Sequence, residues 1–239
     1  FVRAADQIAN EDRILLRSVA RAIITDTGGT LAEQINRRAP ADVRPPRLTP
    51  TRTDRAEINT AAPAARPDLI YFNGLGGFTA DGREYVITTA PGTLTPAPWA
   101  NALANPHFGS VISESGMGYT WSENAHEFRL TPWHNDPVSD TSGEAFYLRD
   151  ENSGQFWCPT PLPRRGATPY VTRHGFGYSV FEHTENGIRS ELWVYVALDA
   201  AVKFSVLKLR NESGRARRLS ATGYVEWVLG DLRAKSLMH

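Results

Sequence analysis

Two hydrophobic rhythms divide the chain. Early on, apolar side chains recur at helical spacing: in NEDRILLRSVARAII, Leu15, Val19 and Ile23 fall at every fourth position. That pattern predicts an amphipathic helix with Asn10 as N-cap and Gly28-Gly29 as its stop. Thr30 and Glu33 have capping-box spacing, so a short second helix is predicted over EQINRR, ended by Pro40. From Asp68 onward the period drops to two. Strands are predicted from there to the end, with hairpins turning at Asp81-Gly82, at Asn152 to Gly154, at Asn186-Gly187 and at Asn211 to Gly214.

The alternation also assigns faces. Ile188, Leu192, Val194 and Val196 share one, Val202, Phe204 and Val206 another, and Leu219, Ala221, Val225, Trp227 and Leu229 a third. At Lys208 the rhythm slips, because Leu207 and Leu209 take the opposite face, which predicts a bulge or the end of that strand. Burying such faces needs two stacked sheets. The predicted class is therefore mainly β, an antiparallel β-sandwich preceded by a short helical segment. Between the two rhythms, APADVRPPRLTPTRTDRAEINTAAPAARP is rich in Pro, Ala and Thr without a sustained period and reads as a linker. The predicted organisation is a helical lead-in over 1–38, a linker over 39–67 and a β-sandwich domain over 68–239.

Composition narrows the function classes. The 26 basic and 26 acidic residues cancel, which argues against a nucleic-acid partner. No window reaches the roughly 18 apolar residues of a membrane span, and the N-terminus lacks the order of a secretory signal. The single cysteine, Cys158, excludes an internal disulfide and a cysteine metal cluster, and fits a reducing compartment. The chain starts on Phe1, so a piece of something longer is expected.

Several motifs invite chemistry and fail on mechanism. Asn73 to Gly77, NGLGG, lacks the third glycine and the following helix that a phosphate loop needs, so a tight turn into the first strand is expected. His126, His134 and Asp136, with His107 or His174 as a distant fourth ligand, match no metal-ligand spacing. No G-x-S-x-G elbow is present. The stretch GYTWSENAHEFRLTPWHNDPVSD is more informative. It sets Glu123, Glu127, Asp136 and Asp140 beside Tyr119, Trp121 and Trp133, with Asn124, Arg129 and Asn135 among them. Aromatic faces stack on the apolar face of a pyranose while carboxylates, amides and a guanidinium bond its hydroxyls. Such a stretch serves equally as a long polar connection whose tryptophans plug the sandwich edge.

YFNGLGGFTADGREYVI, PWANALANPHFGSVISESGMGYTWSENAHEFRLTPWHNDPVSDTSGEAFYLRDENSGQFWCPTPLP and YVTRHGFGYSVFEHTENGIRSELWVYVALD resemble the N-terminal β-sandwich domain of glycoside hydrolase family 94, formerly glycosyltransferase family 36. The resemblance covers Asp68 to Arg233. It implies a galactose mutarotase-like supersandwich, here without its last strands, in a glucan-processing phosphorylase or glycosyltransferase. A helical linker would join it to an (α/α)6 barrel that holds the catalytic aspartate and takes inorganic phosphate as co-substrate. No catalytic residue, metal or cofactor is then expected in this chain, which should be inactive alone. The substrate-binding residues it suggests are Trp121 and Trp133 as stacking platforms, Arg129 as charged donor, and Asn124, Glu127, Asn135 and Asp136 as hydroxyl partners. Partners implied are a β-glucan or oligosaccharide, the barrel, and a second copy in a homodimer. The place implied is cytoplasmic, on the inner-membrane face of a larger bacterial enzyme. Two alternatives stand beside it: a structural or oligomerisation module in which Arg129 and Asp136 pair with each other or with the barrel, and a self-standing mutarotase-like or hydrolase enzyme.

Overall fold

The computed structural model describes residues 7–20, 23–36 and 66–231. They fall into two units. The first carries two helices, α1 (Asn10–Val19) and α2 (Leu31–Ile35). Asn10 is the first helical residue and not the cap: Ala9 precedes it, with no side-chain capping bond. The helix also ends earlier than its pattern predicts, because Ala20 turns extended at ψ 126°. No residue of α1 is buried, and a ten-residue helix has too little length to propagate on propensity alone. Gly28-Gly29 accordingly lie in the turn before α2. There the capping box is formed as predicted: Glu33 N–H donates to Thr30 Oγ1 (3.3 Å) and Thr30 N–H to Glu33 Oε2 (2.7 Å). Pro40 and the linker residues 39–65 lie outside the described residues.

The second unit is built of strands β1 (Gly76–Phe78), β2 (Glu84–Thr89), β3 (Ala100–Asn105), β4 (Phe108–Ser113), β5 (Gly118–Ser122), β6 (Glu144–Asp150), β7 (Phe156–Trp157), β8 (Tyr170–Gly175), β9 (Tyr178–Glu185), β10 (Ile188–Val196), β11 (Lys203–Asn211) and β12 (Leu219–Val225). They form one six-stranded antiparallel sheet, β1-β2-β8-β9-β10-β11, and two three-stranded ones, β3-β4-β5 and β12-β6-β7. The small sheets face the large one. Leu103, Phe108 and Ile112 pack against Phe181, Leu192, Val194 and Val196, while Leu148 and Trp157 meet Ile188, and Leu207 packs on both groups. Phe181 and Leu192 are at most 1% exposed, and each such side chain contributes about 1.5–3 kcal/mol by leaving water. The fold is the mainly β antiparallel sandwich that the period of two predicts.

Three of the four predicted hairpins form, joining β1 to β2, β6 to β7 and β9 to β10. Asn186 and Gly187 both have positive φ (52° and 75°), the backbone that a two-residue hairpin with the strands' own twist requires. The fourth does not. The Asn211 to Gly214 turn carries the chain from the large sheet to the other layer, where β12 pairs with β6 and not with β11. The face assigned to Phe204 and Val206 is also corrected. They stand opposite Tyr195 and Trp193 on the outer side of the sheet, whereas Lys203, Ser205, Leu207 and Leu209 share the inward row of Leu192 and Val194. β11 keeps regular register with β10 through Asn211, so Lys208 marks no bulge. The outer face is apolar as well, and carries aromatic contacts of its own, Tyr195 on Phe204 at 5.1 Å and Tyr178 on Trp193 at 5.4 Å.

The inward lysine is made tolerable by a charge. Lys203 Nζ meets Glu144 Oε2 from the facing layer and donates to Ser110 Oγ (3.0 Å) and Thr120 Oγ1 (3.1 Å). Thr120 and Thr131 hydroxyls donate to Glu144 Oε1 at 2.6 and 2.7 Å. At the other end of β6, Arg217 in the crossover pairs with Asp150 at 2.6 Å, their side chains only 4% and 1% exposed. Buried charges without such partners would each cost several kcal/mol.

Candidate functional site

The polar aromatic stretch folds back twice on β5. The first reversal falls at residues 123–128: Asn124 Oδ1 accepts from the N–H groups of His126 (2.8 Å) and Glu127 (2.9 Å), and Phe128 N–H closes the turn on the Asn124 carbonyl (3.0 Å). Trp121 then bridges Arg129. The second reversal is at 136–140, where Asp136 Oδ1 accepts from Val138 (2.9 Å) and Ser139 (3.1 Å). Those backbone donors, Ser139 first, hold the Asp136 carboxyl below its ordinary range. Asp140 closes the loop by accepting from Ser113 Oγ at 2.6 Å; burial pushes its carboxyl up, and the hydroxyl partly opposes that.

Between the two turns the rings assemble. Tyr119 is nearly buried, at 9% exposed, with Trp121 on one side (centroids 5.2 Å apart) and Trp133 on the other (4.8 Å). The Arg129 guanidinium lies 6.0 Å from the centre of the Tyr119 ring. Trp133 is the exposed member, at 39%. Three of the predicted residues, Trp121, Arg129 and Trp133, are thus gathered around a tyrosine that the site prediction did not include. Its signal was present, since Tyr119 and Trp121 are two apart on one strand and so share a face.

The other predicted residues are placed differently. Asn124 and Asp136 spend an oxygen each on their own turns. Glu127 is exposed, its carboxylate 2.8 Å from His126 Nδ1, and Asn135 is exposed with φ 49°. Arg129 does not pair with Asp136: it donates to the carbonyls of Ala125 (3.3 Å) and Asp231 (3.2 Å). The NGLGG segment is the expected turn, with Asn73 Oδ1 accepting from Leu75 and Gly76 N–H groups at 3.1 and 3.0 Å. His174 bonds Ser179 Oγ (2.9 Å) and the Trp99 carbonyl (3.0 Å), and burial pushes its imidazole down to about 4. Among the described residues no group of three or more His, Cys, Asp and Glu could hold a metal ion.

A cavity of about 510 Å³ opens between the layers above the Glu144–Lys203 pair. Leu130, Phe146, Val202, Tyr224 and Trp227 form its walls. The charged floor was not foreseen. Its signature was a lysine at an inward position of an alternating strand.

The family model described as glycosyl hydrolase 94, supersandwich domain, matches residues 83–239. The cyclic beta-(1,2)-glucan synthase NdvB of Rhizobium meliloti (strain 1021) is 36% identical over 245 residues, covering 99% of this chain and 9% of that protein. The N,N'-diacetylchitobiose phosphorylase of Vibrio furnissii is 32% identical over 69% of the chain and 20% of its own length. A solabiose phosphorylase of Paenibacillus borealis is also 32% identical, over 65% of the chain and 20% of its length. The chain therefore spans between 9% and 20% of the length of these relatives.

Proposed function

Because this chain belongs to glycoside hydrolase family 94, as its supersandwich domain, we propose that it serves a glucan-processing phosphorylase or synthase as an accessory carbohydrate-contacting domain. In this reading it lends contacts to a β-glucan or oligosaccharide and packs against a barrel domain, and against a second copy, while the catalytic acid and inorganic phosphate act elsewhere. The relatives' names supply the substrate class: they are a cyclic beta-(1,2)-glucan synthase, an N,N'-diacetylchitobiose phosphorylase and a solabiose phosphorylase. No helix among the described residues is long and apolar enough to cross a membrane; we place the domain on the cytoplasmic side of the membrane by analogy with the synthase.

The observation that carries the reading is the stack of Trp121, Tyr119 and Trp133, exposed at Trp133 and backed by Arg129. A rigid exposed indole offers a pyranose its flat apolar face at little entropic cost. Glu127, Asn135 and Asp136 are within the same loop and supply hydroxyl partners, with Asn124 shaping the turn that presents Glu127. Titrating the chain with β-1,2-glucooligosaccharides should change tryptophan fluorescence, and Trp133→Ala should abolish the change. Silence up to millimolar sugar would sink this reading. It would favour a packing module, for which the exposed Tyr224, Val225, Trp227 and Leu229, each 47–65% accessible, are the specific support.

A further inference from the structure

Gly109 is an anomaly within β4. Glycine weakens a strand interior, and its φ here is not among the positive values for which only glycine is suited. The explanation is space. Gly109 stands opposite Trp121 across the β4–β5 pair. A Cβ at that position would lie 2.7 Å from the indole Cε2, 2.9 Å from Cη2 and closer still to Cζ2. The benzo ring of Trp121 therefore lies over the bare backbone of Gly109, with Tyr119 5.2 Å away along the stack.

We propose that Gly109 is a positioning residue for the sugar-contacting stack, acting through Trp121; this rests on the carbohydrate reading above. Any side chain at 109 lifts the indole. Tyr119 cannot follow, being nearly buried between Trp121 and Trp133. The Trp121–Tyr119 offset then changes, and with it the support beneath the exposed Trp133. The alternative is a cross-strand aromatic that merely shields a glycine and stabilises the sheet, in which case a substitution would lower stability without altering ring geometry or sugar affinity.

The test compares Gly109→Ala in two backgrounds, with Trp121 native and with Trp121→Phe, whose single ring has no atoms as far out as the Cζ2 and Cη2 that the added Cβ would meet. In the native background Gly109→Ala should lose at least half of the near-UV circular dichroism from the coupled rings. It should also weaken β-1,2-glucooligosaccharide binding about threefold to tenfold, the scale of one aromatic contact. In the Trp121→Phe background the same change should alter neither. Equal effects in both backgrounds, or an unchanged dichroism band in Gly109→Ala, would overturn the proposal. Should Gly109→Ala alone fail to fold, a double variant as stable as Trp121→Phe supports it and an unfolded one refutes it. If no variant and no native protein binds sugar, the dichroism still decides the role of Gly109, and the carbohydrate reading fails by itself.

Discussion

Replacing Lys203 by methionine takes a cation out of the interior and leaves the Glu144 carboxylate behind. Lys203 and Glu144 are 15% and 19% exposed at their side chains, and the lysine also holds Ser110 and Thr120. Removing one partner of a buried pair costs about 3–5 kcal/mol, because the remaining charge has no counterion. For a domain of this size that corresponds to a fall in Tm of roughly 6–20 °C. Glu144→Leu combined with Lys203→Met removes both charges and should recover most of the loss. The pH dependence adds a second check. Burial pushes the Glu144 carboxyl up, but Lys203 and the two threonine donors outweigh it and leave the group below its ordinary value of 4.5. Its contribution is therefore fully present above pH 4.5 and is lost as pH falls through the depressed folded value. Without Lys203 burial prevails and raises the variant's carboxyl, so the gap between variant and native protein should begin to narrow above pH 4.5, as the variant's carboxyl protonates, and go on narrowing below it. Urea denaturation at pH 7 and pH 4 measures both effects. A single-variant loss under about 1 kcal/mol, the value of a surface pair, or a gap that does not change with pH, would refute the reasoning.

Other expectations follow from individual groups. His174, pushed to about 4 by burial against an ordinary 6.5, stays neutral in the fold; its contribution of about 3 kcal/mol is full above pH 6.5 and is lost between 6.5 and 4. Its ring protons should show no NMR titration near neutrality, and a midpoint close to 6.5 would contradict this. Burial pushes the Cys158 thiol up to about 11, so at pH 8 its reaction with a disulfide reagent should wait on unfolding and become immediate in urea; equal rates with and without urea would count against it. Gly187→Ala places a side chain at φ 75° and 2.8 Å from Ser213 Cα; a loss of about 1–3 kcal/mol is expected by thermal denaturation, and an unchanged Tm would be inconsistent with the turn described.

The sandwich was legible because its evidence is local. Asp81-Gly82 and Asn186-Gly187 specify their turns within a few residues, and the inward row from Ile188 to Val196 is broken at Ser190 alone. What escaped was set by distant residues. Lys203 breaks the apolar rhythm of an inward row because Glu144, on the other layer, neutralises it, and nothing near either position announces the other. The turn at Asn211 to Gly214 has hairpin chemistry, yet Arg217 anchors the crossover to Asp150 and β12 goes to a partner far back in the chain. The candidate site divides the same way. Aromatic content pointed to Trp121 and Trp133, whereas Tyr119 between them, and the turns that engage Asn124 and Asp136, depend on where the loop doubles back.

The pairing of β12 with β6 sets Leu219 opposite Asp150 and Val225 opposite Glu144. While the chain is being made, β6 leaves the ribosome long before its principal neighbour exists, with just the two-residue β7 to lean on. Such long-range closure raises contact order and slows folding. The β12-β6-β7 sheet should be the last part to lock, and during that wait the large sheet's Leu207 and Ile188 stand open to intermolecular association and to chaperones.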